Sequence, residues 1–60
     1  MEKYHIIEVD GFMRCCVSIQ NKADPYGTPK EFTKEEALHW IDRHTYKGMS
    51  FHYELKKVKI

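Results

Sequence analysis

Sixty residues allow one domain at most, and 42% hydrophobic with 32% charged side chains is too apolar a mixture for a disordered chain. Ten Lys and Arg against nine Asp and Glu leave a formal charge of +1, which gives no strong electrostatic draw toward nucleic acid or an anionic membrane. The longest apolar runs are two or three residues, which excludes a membrane-spanning helix, and the polar start Met1-Glu2-Lys3 does not resemble a secretory leader. The expected setting is therefore cytoplasmic. A chain this short hides only about 60% of the surface its unfolded form exposes, so the core is thin and a disulfide, a metal or a second copy of the chain is the usual further stabiliser.

Lys3 to Val9 is rich in strand-favouring residues, Asp10-Gly11 is a tight-turn dipeptide, and Phe12 to Gln20 resumes strand character. This pattern predicts a β-hairpin. In its second strand Met13, Cys15, Val17 and Ile19 alternate with Arg14, Cys16, Ser18 and Gln20, and the first set is expected to face the helix. A two-residue turn at Asp10-Gly11 pairs Val9 with Phe12 and turns Tyr4 and Ile6 to the helix side; a three-residue turn with a bulge at Gly11 turns His5 and Ile7 there instead. The shorter turn is preferred, because Asp-Gly suits it and Tyr4 with Ile6 makes the fuller apolar pair. Cys15 and Cys16 are adjacent, and neighbours on a strand point to opposite faces, so two reduced thiols are expected rather than a bond between them.

Asn21 to Glu31 concentrates turn formers, Asp24-Pro25, Tyr26-Gly27 and Thr28-Pro29, and reads as a loop crossing from the sheet edge to the helix. The helix itself begins at Thr33, where the hydroxyl can cap the first turn and Glu36 can reach back in a capping box, with Phe32 and Ala37 placed as a staple. At about 100° per residue, Ala37, Leu38, Ile41 and Thr45 share one stripe, flanked by Trp40 and His44, with Glu35, His39, Asp42 and Arg43 opposite. Gly48 is the expected stop. Ser50 to Ile60 then predicts a third strand in which Phe51, Tyr53 and Leu55 alternate with His52, Glu54 and Lys56, before Val58 and Ile60 change phase, either through a bulge near Lys56-Lys57 or because the tail runs past the helix. The expected fold is α+β: one domain over residues 1–60, a three-stranded antiparallel sheet in β-β-α-β connection and order 2-1-3, with one helix on one face.

Such a sheet leaves a second face without a helix. On the preferred register that face carries His5, Ile7, Val9, Phe12, Arg14, Cys16, His52, Glu54 and Lys56, more apolar than a purely solvated face requires. Ile7, Val9 and Phe12 as an apolar centre, with Arg14, His52 and Lys56 as a polar rim, suit a protein partner. His5, Cys16 and His52 are candidate zinc or copper ligands, but structural zinc takes four ligands and the usual close-spaced pairs are absent, so no cofactor is expected. His39 and His44 lie five apart on the helix and cannot chelate as an i, i+4 pair. Cys15 is placed in the core, where a thiol is inert, Glu35 and Glu36 are accounted for by helix capping, and Gly11, Gly27 and Gly48 are isolated rather than a phosphate loop. No enzyme is expected. The reading that remains is a small accessory or inhibitor-like interaction module that binds through its sheet face or an open edge, with a homodimer possible and no membrane. The alternative is a weak nucleic-acid binder using the same face and the C-terminal lysines Lys56, Lys57 and Lys59.

Overall fold

The structure, a computed structural model, describes residues 2–58. Strands β1 (Tyr4–Asp10) and β2 (Met13–Cys16) form a hairpin, helix α1 (Lys34–His44) follows, and β3 (His52–Lys57) completes a three-stranded antiparallel sheet in the order β2-β1-β3. The predicted connection and strand order are both present. β1 lies between two partners and is apolar on both faces, with Ile6, Ile7 and Val9 all buried.

The hairpin turn sits one position later than predicted. Asp10 pairs with Met13, so the turn residues are Gly11 and Phe12, with Gly11 at φ +61°, the arrangement of a type II′ turn. The register thus shifts by two residues, which preserves which side chains face which way. Its physical reward is that Ile6 falls opposite Val17, both fully buried, with the Val17 amide donating to the Ile6 carbonyl at 2.8 Å. Phe12 leaves the strand for the turn.

The segment Asn21 to Glu31 does more than cross over. Ala23 and Pro29 bridge back to Val17 and Ser18, and Phe32 pairs with Tyr4 through bonds of 2.7 and 2.8 Å. The loop therefore flanks the outer edge past Cys16 with Lys22 to Asp24, while Phe32 takes β2's place beside Tyr4. Gly27 closes it against the sheet: a Cβ there would lie 2.8 Å from the Ser18 Cβ, and Ser18 is buried.

The capping box forms as predicted, the Glu36 amide donating to Thr33 Oγ1 at 3.2 Å and the Thr33 amide to Glu36 Oε1 at 2.9 Å. The end differs. The helix stops at Thr45, which is extended (φ −96°, ψ 130°) and donates its hydroxyl to the Ile41 carbonyl at 2.7 Å, while Gly48 (φ +93°) serves the turn beyond. The buried stripe is also rotated: Ala37 is buried and Trp40 and Ile41 pack on the core, but Leu38 is half exposed and Thr45 exposed. Trp40 explains this rotation, because its ring meets Phe32 and Tyr53 edge-on at 6.3 and 5.1 Å and draws its own side of the helix inward. The core consists of Ile6, Val17, Phe32 and Ala37, with Trp40, Ile41, Tyr53 and Leu55 packed on it. Cys15, predicted inside, is only half-buried and outside this cluster, and neither cysteine is bonded to the other.

β3 is shorter than predicted, and its pairing from His52 to Lys57 runs without a bulge. Lys59 and Ile60, the end of the predicted strand, lie outside the described residues.

Candidate functional site: the second face and the outer edge of the sheet

Side chains of one strand alternate between faces, so the pairing places His5, Ile7, Val9, Arg14, Cys16, His52, Glu54 and Lys56 together on the face away from α1. Across the sheet, Arg14 and His52 flank Val9, and Cys16 and Glu54 flank Ile7. Arg14 Nη2 reaches Glu54 Oε1 at 2.7 Å and so spans β1 diagonally between Ile7 and Val9. His52 Nε2 lies 2.9 Å from the other oxygen, Glu54 Oε2. His52 and then Arg14 hold the Glu54 carboxyl below its ordinary value of 4.5.

This arrangement corrects one part of the predicted surface. Ile7 and Val9 lie on the expected face but are buried, 8% and 9% exposed, beneath the ion pair that crosses them. They form a floor rather than an open apolar centre. Arg14, His52 and Lys56 are exposed as predicted, and Phe12, wholly exposed, stands in the turn two residues before Arg14. The structure therefore gathers Ile7, Val9, Arg14 and His52 around Glu54, with Lys56 opposite His5 toward one end of β1 and Phe12 in the turn at the other. His5, Cys16 and His52 do not converge: His5 faces Lys56, Cys16 faces Ile7, and His52 faces Val9, four residues or about 13 Å along β1 from His5.

The backbone at the sheet's two margins differs. In an antiparallel pair, positions that exchange hydrogen bonds alternate with positions whose backbone groups point away. The Val58 amide donates to the Lys3 carbonyl at 2.8 Å, which sets the phase of the β1–β3 ladder. The backbone groups of His52, Glu54 and Lys56 turn toward β1; those of Tyr53, Leu55 and Lys57 turn outward and meet no partner among the described residues. On the other margin the same phase turns Cys16 and Ser18 outward, and there the loop answers them: the Asp24 and Asn21 amides donate to their carbonyls at 3.2 and 2.8 Å, and the Ser18 amide donates to Lys22 at 2.8 Å. The β2 margin is covered only from the Cys16 carbonyl onward, the Arg14 backbone groups and the Cys16 amide meeting no partner among the described residues, whereas the β3 margin is open along its length. Along that open edge Lys57 pairs with Glu2 at 2.7 Å, which raises the Lys57 pKa and lowers that of Glu2.

A second concavity went unforeseen. Lys30, Phe32, Glu36, His39, Trp40, Arg43 and His44 line an open groove of about 470 Å³ between α1 and the loop. His44 stacks on Trp40 with ring centroids 3.8 Å apart and brings Nδ1 within 2.8 Å of the Trp40 carbonyl, so this histidine is a helix-end group. Cations and carboxylates are mixed in the groove, and the only sequence signal for it was the flank that holds Trp40 and His44. No helix among the described residues is long and apolar enough to cross a membrane, and no group of three or more potential metal ligands occurs among them.

Comparison with protein-family models, curated proteins and solved structures finds no match.

Proposed function

We propose that the protein is a non-enzymatic interaction module of the accessory or inhibitor type, which engages another protein through the second sheet face and the outer edge of β3. The observation that carries this reading is the asymmetry of the sheet margins. Unpaired strand amides invite pairing with another chain, and this fold covers the end of its β2 margin with a loop while leaving the β3 margin open along its length. The face beside it adds Phe12, Arg14, His52 and Lys56, side chains that can supply an aromatic anchor and a polar rim. The nucleic-acid reading draws less support, because Arg14 and Lys57 are engaged by Glu54 and Glu2.

The test is affinity capture from host lysate with the wild-type chain and with a Phe12→Ser, Lys56→Glu variant, whose changes touch only exposed positions. The expected result is a protein retained by the wild type and lost by the variant. Identical captured sets contradict the reading, and capture of nucleic acid that weakens with added salt replaces it with the alternative.

A further inference from the structure

We infer that the open edge of β3 takes a second copy of this chain, antiparallel about a two-fold axis at Leu55, giving a continuous six-stranded sheet from two sheets of three. This deepens the interaction reading above and rests on it. The argument comes from charge register. An axis at Leu55 sets Leu55 against itself, Tyr53 opposite Lys57, and Glu54 opposite Lys56 twice over, once on each side of the axis. Moving the axis to Glu54 sets two carboxylates against each other, and moving it to Lys56 opposes two ammonium groups. At Tyr53 the overlap runs off the start of the strand at His52. One register joins unlike charges along the middle of β3.

The backbone agrees with that choice. Tyr53, Leu55 and Lys57 are the residues whose amides and carbonyls turn outward, and the Leu55 axis pairs each of them with another of the same set. On the helix side, the two half-buried Leu55 side chains meet across the axis and extend the core row formed by Ile6 and Leu55. On the second face, Glu54 of one copy, already beside Arg14 and His52, gains Lys56 of the other. The β2 margin of each copy is the poorer edge, since its own loop takes the Cys16 carbonyl and both Ser18 backbone groups and leaves only the short run around Arg14.

The experiment is sedimentation equilibrium of the full 60-residue chain over a rising concentration series, with three variants. Lys56→Glu places like charges opposite each other at both positions; Glu54→Lys with Lys56→Glu restores unlike pairs; and a chain made by chemical synthesis carries an N-methyl group on the Leu55 amide, leaving every side chain in place. Expected are a wild-type dimer of twice 7.2 kDa, a dissociation constant raised about tenfold by Lys56→Glu, recovery in the swapped variant, and a folded monomer for the N-methylated chain. A wild type that remains monomeric at millimolar concentration overturns the inference, as does a dimer indifferent to both Lys56→Glu and the N-methyl group. A monomer that still captures a protein lost by the face variant overturns the dimer alone and leaves the interaction reading standing.

Discussion

Thr33 and Glu36 hold the start of the only helix among the described residues through two reciprocal hydrogen bonds. Thr33→Ala removes both the hydroxyl acceptor and the geometry of the box, and is expected to cost about 1 kcal/mol, read as a lower urea midpoint. An unchanged midpoint contradicts it. The Glu36 carboxyl is held below its ordinary value of 4.5 by the Thr33 amide and hydroxyl, as Glu54 is by His52 and Arg14 and Glu2 by Lys57 and Tyr4. A depressed folded-state pKa gives stability that is fully present above the unfolded value and is lost as pH falls through the folded one. Stability should therefore decline below about pH 4.5, with a shallower decline in Glu36→Gln; equal slopes in urea titrations of the two proteins contradict this assignment. At this scale the capping box was readable from three-residue spacing alone. The Arg14–Glu54 pair was not, because its members are 40 residues apart and meet only through the strand register.

Among the elements, the strands' facing was readable but their register was not. Alternation fixes which side chains share a face, and that survives a shift of two residues, whereas Asp10-Gly11 and Gly11-Phe12 compete for the turn on small differences in local preference. What decided between them is tertiary: Ile6 opposite Val17 under α1. The helix face was misjudged for a similar reason, since a stripe counted at 100° per residue does not weigh Trp40's bulk against Leu38's. Trp40→Ala should cost about 3 kcal/mol or more, and Leu38→Ala no more than about 1 kcal/mol, in the same denaturation series. Comparable losses contradict the rotated stripe. Gly27 lies outside the left-handed region and is constrained by space, so Gly27→Ala is expected to destabilise by about 1–3 kcal/mol through its collision with Ser18 and Asp24. A wild-type midpoint in that variant separates the loop from the sheet and contradicts the covered β2 margin.

The described residues form a sheet with a helix on one face and a charged lattice on the other, and its two margins are unequal. The unhelixed face was visible in the order of elements; its burial of Ile7 and Val9 was not, since that depends on which cross-strand neighbours flank the central strand. Nor could the loop's pairing with Val17 and Ser18 be read from its turn formers, which mark bends without saying what they bend toward. The most direct measurement of the open β3 margin is amide hydrogen exchange by nuclear magnetic resonance at low and high protein concentration. At low concentration the Glu54 and Lys56 amides should be protected while those of Tyr53, Leu55 and Lys57 exchange freely, and raising the concentration should protect the second set. Protection of all five in the dilute protein, or the absence of any alternation between the two sets, contradicts the account.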